Sequence, residues 1–468
     1  MNRWLPLLIV LIHVAGVLCF PPQTLQISDE VEYFEQGLAF SKGQRLLSTY
    51  DPVTAQETVY RPSSYPPGTS LLLAVFIFLL GNSGAFAVPI LSLLGSYLLL
   101  DRLLRQLNVD PAFALLVFIY PPSVLLARHL MSDLPSLLLV SAGVFLFFQK
   151  DRPLQLFALA LLAGLSILFR ETNLLLFLPL LLVKGVEQRW TGRGLLTLAL
   201  ALGISLRLWL SALLFDDPLF VKDPGIGFHP VYLLRNLPLY ASALLVFAPL
   251  GLWTVLRYPG PYRRMLQWTV LVFVSFYLFY GYNGCLNSGV KCLILGPRFF
   301  IPLLPFLVLA GAFFFQKQKR GFLKKAKGAY LVAALLAIST STLFNYYNGR
   351  AQLQFVQVLQ AQPGLLHVAD PNGDMSKFLC QFYPPLYSKP IDWLNDQPAV
   401  EQWLAVHDSL QVHAVLRFES SSRKVSNQHK LEKLQAIMAP YTIQGIQEKV
   451  IWDHSKLKTW TIRANNHQ

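Results

Sequence analysis

Long apolar segments separated by short polar ones run from the amino terminus to residue 345. Each is long enough, or nearly so, to cross about 30 Å of hydrocarbon. The segments lie at residues 4–20, 85–100, 111–128, 134–149, 154–169, 173–184, 194–215, 239–256, 265–282, 299–316 and 329–345. This pattern predicts a mainly α-helical, polytopic transmembrane bundle of about eleven spans.

The apolar run Thr69–Leu80 is too short for a span and predicts an interfacial or re-entrant helix. If it does not cross and the amino terminus is cytoplasmic, every strongly basic short loop falls on the cytoplasmic side, as the positive-inside rule requires. These loops lie at residues 102–105, 150–152, 184–193, 257–264 and 317–327. The outer face then receives residues 21–84, 129–133, 170–172, 216–238 and 283–298.

After residue 345 the composition becomes that of a small soluble domain. We expect residues 1–345 to form the transmembrane domain, and residues 346–468 an extracytoplasmic α/β domain. Strand-like runs lie at residues 365–369, 413–418, 449–452 and 459–463, and polar helical runs at 400–408 and 428–438.

Composition supports the membrane assignment. The chain is 54% hydrophobic and 14% charged, and its mean hydropathy is +0.45, far from an ordinary soluble domain. The net charge of +14 would suggest a nucleic-acid partner in a soluble protein, but here it reflects orientation in the bilayer. No nucleic acid is expected as a partner. Nucleotide-binding and zinc-protease motifs do not occur in the sequence.

The first outer loop opens with two acids, Asp29 and Glu30, after a plausible N-cap, Ser28. The acids either complement a helix dipole or point into a cavity as a general base or metal ligand. The loop closes with Arg61 and Tyr65-Pro66-Pro67-Gly68, where each X-Pro step restricts the backbone before the short helix.

Two further outer turns carry charges beside hydrocarbon. Asp133 is costly there unless it is paired or faces a water-filled cavity, which makes it a functional candidate. The alternative is that Ser132 or Asp133 caps the following helix. Arg170 and Glu171 repeat the arrangement at the next outer turn, where an ion pair within the turn is the expected explanation.

Two arginines lie at or inside spans. Arg298 follows Gly296-Pro297 at the mouth of a span, where a guanidinium is suited to bidentate binding of an anionic headgroup. The alternative is an interfacial arginine that snorkels to water. Arg207 lies inside a span and should face the protein interior.

The order of these pieces resembles the GT-C superfamily of polytopic glycosyltransferases, in the branch of protein O-mannosyltransferases and aminoarabinose transferases of lipid A. The resemblance covers roughly residues 1–315. The matching elements are Asp29-Glu30, Tyr65-Pro66-Pro67, Ser132-Asp133, Arg170-Glu171-Thr172 and Pro297-Arg298-Phe299-Phe300-Ile301-Pro302.

The resemblance implies a GT-C fold and a polyprenyl-phosphate-linked sugar donor, whose sugar passes with inversion to a lipid, glycan or protein acceptor hydroxyl outside the cytoplasmic (inner) membrane. Carried over by position, Asp29 is the base with Glu30 beside it. Asp133 orients the acceptor or binds a metal, and Arg298 holds the donor phosphate. Related enzymes often carry a lysine beside the Pro-Pro element. Ser64 and Tyr65 stand here instead, so phosphate binding at this element falls to Arg61 or is absent.

The chemistry is consistent with these residues independently of the family. A phosphate leaving group needs positive charge rather than a general acid, and the acceptor hydroxyl needs one carboxylate base. The candidate catalytic acids are therefore Asp29, Glu30 and Asp133. The candidate donor-phosphate arginines are Arg298, Arg61 and Arg207. The residues that would support the acceptor or the structure are Tyr65, Arg170 and Glu171. Asp29-Glu30 is not a DxD pair, so a divalent metal cofactor is left open.

Two other function classes remain open from the sequence. A transporter or flippase of a lipid-linked or anionic solute would show discontinuous helices and polar residues near mid-membrane, whereas these acids lie at outer ends. A membrane sensor whose carboxy-terminal domain binds a ligand would leave the acids of the first loop without a purpose.

Overall fold

A computed structural model describes residues 4–22, 25, 28–46, 48–51, 56–59, 62–220, 227–247, 251–281, 296–316, 328–329, 331–343, 345–346, 357, 367–369, 388–407, 409–416, 421–450 and 456–463. The chain divides into two compact units. The first comprises Met1–Pro21, Glu32–Leu46 and Pro62–Leu343, and the second Pro22–Val31, Leu47–Arg61 and Phe344–Gln468.

Helices dominate the part of the chain before residue 344, which confirms the predicted mainly α class. In chain order they are α1 Trp4–Cys19, α2 Ser28–Ser41, α3 Pro67–Leu80, α4 Ala87–Gln106, α5 Leu116–Ile119, α6 Pro121–Leu126, α7 Asp133–Phe147, α8 Pro153–Ser166, α9 Asn173–Glu187, α10 Trp190–Phe215, α11 Val231–Phe247, α12 Gly251–Leu256, α13 Arg263–Phe279 and α14 Leu304–Gln316.

Three helical stretches in the described ranges are long and apolar enough to cross a membrane: Asn82–Gln106, Trp190–Phe215 and Pro297–Gln316. Shorter apolar helices lie at Leu8–Cys19, Pro67–Leu80, Asp133–Phe147, Pro153–Ser166 and Leu331–Leu343. All fall on predicted spans or on the predicted interfacial segment. The total of eleven spans stays a prediction.

The predicted short helix of the first loop is α3, with 14 residues. It ends at Leu80, and the next residue, Gly81, has a φ of 74°, in the left-handed region that favours glycine. A 3-10 turn, Asn82–Phe86, then leads into α4. The same loop contains a β-hairpin that no sequence pattern predicted, with β1 at Ser48–Asp51 and β2 at Gln56–Val59.

The apolar segment 111–128 is not one continuous helix, and its crossing of the membrane stays a prediction. It consists of a 3-10 turn, Pro111–Leu115, followed by the two short helices α5 and α6. The break lies at Tyr120, whose ψ of 103° is extended because Pro121 disfavours helical backbone in the residue before it. Nearly all of the segment is buried, which is where non-helical backbone is tolerated at membrane depth.

Helices α8 and α10 pack through glycine. A Cβ atom placed on Gly203 would lie 2.7 Å from the Cα of Gly164 and 2.9 Å from the backbone nitrogen of Leu165. Membrane helices commonly use small residues for such close backbone approach.

The carboxy-terminal region contains the predicted small α/β fold. Its sheet has the order β4-β3-β5-β7-β6, with β3 at His367–Ala369, β4 at Ser388–Pro390, β5 at Leu410–Leu416, β6 at Thr442–Val450 and β7 at Lys456–Arg463. Strand β3 is parallel to β4 and β5, whereas β7 is antiparallel to β5 and β6. The helices Gln397–His407 and Ser421–Met438 contribute Trp403 and Met438 to a core that also includes Trp460.

The predicted strand at 449–452 is wrong in its bounds, because β6 begins at Thr442 and ends at Val450. Every side chain of β6 is exposed or half-buried. The strand lies at the end of the sheet order, so it carries no buried alternating pattern that could identify it.

We expect Gly203→Ala to lower the free energy of unfolding by about 1–3 kcal/mol, because the added methyl group forces α8 and α10 apart. The matched control is Gly194→Ala in the same helix, where a Cβ meets nothing within 4 Å. Unfolding in mixed detergent, followed by tryptophan fluorescence, measures both variants. Equal stability of the two would contradict the proposed contact.

Candidate functional site

A buried ion pair joins two of the turns that the sequence predicts on the outer face. Asp133 is the first residue of α7 and is fully buried, and its Oδ1 accepts a hydrogen bond from Nη1 of Arg170 at 2.8 Å. Ser132 makes no side-chain capping bond to α7. The structure therefore places Asp133 in an ion pair with the 170–172 turn, rather than in a capping role.

The predicted ion pair within the 170–171 turn is wrong, because its two members bind different partners. Arg170 pairs with Asp133, whereas Glu171 Oε1 accepts from Nη2 of Arg207 at 3.3 Å. Arg207 faces the interior of the protein as predicted, and its Nη2 also donates to the carbonyl of Phe220 at 3.0 Å. Adjacent residues point in different directions at this turn, which sequence proximity cannot reveal.

Arg170 is held in its charged form. Burial is the largest single influence and by itself lowers the pKa, but Asp133 and its neighbours together outweigh it, so the pKa of Arg170 is raised above its ordinary value. Tyr277 and Tyr33 act in the same direction as Asp133, whereas Arg298 opposes them. The cation is therefore permanent at any physiological pH.

Arg170 and Arg298 both lie over the ring of Phe299. Each guanidinium carbon is 5.3 Å from the ring centroid, a distance at which cation–π attraction operates. Phe299 stacks on Tyr277 with centroids 4.9 Å apart and an interplanar angle of 15°. Arg298 is only 5% exposed, which does not fit a side chain that snorkels to water.

The Pro-Pro element of the first loop packs against the same turn. The backbone nitrogen of Gly68 donates to the carbonyl of Leu168 at 2.7 Å, and a Cβ atom on Gly68 would lie 2.7 Å from that oxygen. Only glycine allows this close an approach to the backbone. The carbonyl that it approaches belongs to Leu168, two residues before Arg170. Tyr65 packs on Tyr33 of α2, with ring centroids 4.8 Å apart.

Helix α2 is attached to the Pro-Pro element by a buried glutamine. Gln36 accepts from the backbone nitrogen of Ser63 at 2.8 Å and donates to the carbonyl of Arg45 at 3.0 Å. The hydroxyl of Ser70 donates to the carbonyl of Tyr33 at 3.0 Å. Sequence reasoning missed Gln36 and Tyr33, because a lone polar or aromatic residue on a helix forms no motif.

Asp29 and Glu30 occupy the first turn of α2, where Glu30 is fully buried and Asp29 is half-buried. A carboxylate that only complements a helix dipole is normally solvated, so the burial of Glu30 favours a more specific role. These two acids belong to the second compact unit, whereas Asp133, Arg170 and Arg298 belong to the first. Convergence of Asp29 with Asp133 stays a prediction. Arg61 lies outside the described residues.

Tyr277 is a further residue that sequence reasoning missed. It lies within an apolar run, where it resembles any aromatic of a span, yet its hydroxyl lies 3.0 Å from Oγ1 of Thr172. The 170–172 turn is thus bound through each of its three side chains.

Over the described ranges, no group of three or more His, Cys, Asp and Glu side chains could hold a metal ion. Oδ2 of Asp133 is buried and has no hydrogen-bond partner in the described part of the chain. The geometry thus places two guanidinium groups over one aromatic ring, with Asp133 paired to the first of them.

Comparison with known structures identifies the fold. The crystal structure of ArnT from Cupriavidus metallidurans in the apo state matches with a TM-score of 0.60 and 14% identity, over 98% of this chain and 97% of that one. The structure of the same protein bound to undecaprenyl phosphate matches with a TM-score of 0.61 and 12% identity, over 98% of both chains. No family model and no curated protein sequence matches. The chain therefore has the ArnT-like GT-C fold, as predicted.

We expect Asp133→Asn and Arg170→Gln each to lower the free energy of unfolding by about 3–5 kcal/mol, because each leaves the partner buried without its counter-charge. The double variant should lose much less than the sum of the two. Unfolding in mixed detergent gives the three values.

The control for this cycle is the exposed pair Asp101 and Arg105, whose closest atoms are 2.7 Å apart. Asp101→Asn and Arg105→Gln should each cost less than about 1 kcal/mol. Strictly additive losses at Asp133 and Arg170 would contradict the ion pair.

Proposed function

We propose that this ArnT-like chain is a membrane glycosyltransferase, which transfers a sugar from a polyprenyl-phosphate-linked donor to an acceptor hydroxyl on the outer face of the cytoplasmic membrane. The observation that carries the proposal is the match over 98% of both chains to a structure bound to undecaprenyl phosphate. A donor whose lipid tail stays in the bilayer accounts for a catalytic unit built from membrane helices.

The donor phosphate is assigned to Arg298. Arg298 and Arg170 share the ring of Phe299 and repel one another, and a phosphate placed beside them would relieve that repulsion. As the anomeric bond breaks, negative charge grows on the phosphate, so fixed positive charge lowers the barrier without a general acid. Arg207 is a weaker candidate, since Glu171 lies 3.3 Å from it. Arg61 remains a candidate on sequence grounds.

Asp29 is assigned as the base that accepts the proton of the acceptor hydroxyl, with Glu30 beside it. Asp133 is less suited to that task, because its Oδ1 already accepts a hydrogen bond from Arg170 at 2.8 Å. Asp133 instead holds Arg170 and orients the acceptor. Direct attack by the hydroxyl on the anomeric carbon displaces the phosphate in one step, which inverts the configuration there.

The remaining assignments follow the topology. The amino terminus is cytoplasmic, the transmembrane domain covers residues 1–345, and the domain at 346–468 lies outside the membrane, where it meets a lipid, glycan or protein acceptor. Tyr65 and Glu171 are supporting residues, because Tyr65 packs on α2 and Glu171 binds Arg207.

A transporter or flippase is the second candidate. The broken segment between Pro111 and Leu126 favours it, because discontinuous helices are common at transporter binding sites. Binding and reorientation of undecaprenyl phosphate in vesicles, with no cleavage of any lipid-phosphate sugar, would select this candidate over the transferase.

We expect Asp29→Asn to abolish transfer, because the amide cannot accept the proton, while folding and donor binding stay nearly unchanged. Release of undecaprenyl phosphate from a panel of undecaprenyl-phosphate sugars, followed by mass spectrometry, measures transfer. The control is Asp101→Asn, which should retain full turnover. Normal turnover by Asp29→Asn would remove Asp29 from the mechanism.

We expect Arg298→Ala to weaken the binding of undecaprenyl phosphate by at least tenfold, because a charge-assisted hydrogen bond is worth about 1.5–3 kcal/mol. The matched control is Arg105→Ala, whose side chain is 52% exposed. Titration of the lipid, followed by native mass spectrometry, gives the dissociation constants. Unchanged affinity would show that the phosphate is held elsewhere.

A further inference from the structure

Tyr120 links the broken segment 111–126 to the backbone beside Arg298. Its side chain is fully buried, and its hydroxyl donates a hydrogen bond to the carbonyl of Pro297 at 2.5 Å. Pro297 is the residue directly before Arg298. A tyrosine 177 positions earlier in the chain thus fixes the peptide group that leads into the arginine.

The position of Tyr120 follows from the local sequence. Pro121 keeps Tyr120 extended, with ψ at 103°, so the helix stops at Ile119 and restarts one residue after Tyr120. A continuous helix would place residue 120 in the regular register of its neighbours. A helix break is costly in a membrane unless it is buried. This break gives the Tyr120 side chain an orientation that a continuous helix would not provide.

Aromatic contacts hold the residues that follow Arg298. Phe299 stacks on Tyr277 at 4.9 Å, and Phe300 meets Tyr240 edge-on, with centroids 5.0 Å apart. These contacts restrain side chains after the arginine, whereas the Tyr120 hydroxyl restrains the backbone before it. The guanidinium stands at the end of a long side chain, so a small backbone rotation at Pro297 moves it by more than the tolerance of a binding site.

We infer that Tyr120 is a positioning residue for Arg298, which holds the Pro297 carbonyl so that the guanidinium is in place for the donor phosphate. This inference rests on the proposed function of Arg298. Without the hydroxyl, a smaller fraction of the protein has the binding-competent arrangement, and the apparent dissociation constant rises in proportion. We expect Tyr120→Phe to weaken undecaprenyl phosphate binding by about two- to tenfold, the range that one neutral hydrogen bond supplies.

Two tyrosines provide matched controls for Tyr120→Phe. Tyr258 is fully buried, and its hydroxyl has no hydrogen-bond partner within the described ranges. Tyr441 is also buried and donates to the carbonyl of Leu394 at 3.2 Å, the same kind of bond in the second compact unit. Tyr258→Phe reports the loss of a buried hydroxyl, and Tyr441→Phe reports the loss of a tyrosine-to-carbonyl bond. Both should bind undecaprenyl phosphate like the unmodified protein.

A double-variant cycle separates positioning from a general structural role. Undecaprenyl phosphate is titrated into the full-length protein carrying Tyr120→Phe, Arg298→Ala or both, and the unfolding of each is measured in parallel. If Tyr120 acts through Arg298, Tyr120→Phe has no further effect on affinity once Arg298 is alanine. Independent, multiplicative losses, or an equal loss in Tyr441→Phe, would overturn the inference.

The outcomes also separate this inference from the proposed function. If Arg298→Ala weakens binding and Tyr120→Phe does not, the inference fails while the proposed function stands. If the unmodified protein does not bind undecaprenyl phosphate, or Arg298→Ala binds it unchanged, the proposed function of Arg298 fails and the inference fails with it.

Discussion

The turns that contain Asp133 and Arg170, in the first compact unit, depend on the ion pair between these two residues. Both side chains are largely removed from water, so each charge is tolerated only because the other is 2.8 Å away. The neighbouring residues extend the connection, since Glu171 binds Arg207 and Thr172 contacts Tyr277. The carbonyl of Leu168, two residues earlier, receives the Pro-Pro element through Gly68. One turn of the chain thereby joins α7, α9, α10, α13 and the first loop.

Proline determines where helices stop in this architecture. Tyr120 is extended before Pro121, and Pro66-Pro67 positions the start of α3 against the carbonyl of Leu168. Pro297 lies in a 3-10 turn that begins at Gly296 and carries Arg298. An interrupted helix exposes backbone polar groups, which is expensive in hydrocarbon, so these breaks persist only where partners satisfy them. In this chain the partners are the groups that surround the candidate site.

The sequence predicted which charged residues are buried better than it predicted which residues they contact. Asp133 and Arg298 could be identified from the sequence, because a charged residue beside hydrocarbon is costly unless it is paired or faces a polar cavity. Both residues are buried. The predicted ion pair between Arg170 and Glu171 is wrong, because residues adjacent in sequence can point in different directions. Phe299 and Tyr277 could not be distinguished from ordinary aromatics of a span. Strand β6, exposed at the sheet edge, lacks the alternation on which strand recognition depends.

The sequence by itself determined the membrane class, the mainly helical fold, the short helix after the Pro-Pro element and the small α/β region. These follow from hydropathy, proline and local periodicity, which act over one or two turns of chain. Only the tertiary structure decided that Arg170 binds Asp133, that two arginines share one ring and that Tyr120 reaches Pro297. Those choices depend on packing between segments far apart in the chain, where many pairings satisfy the same local pattern.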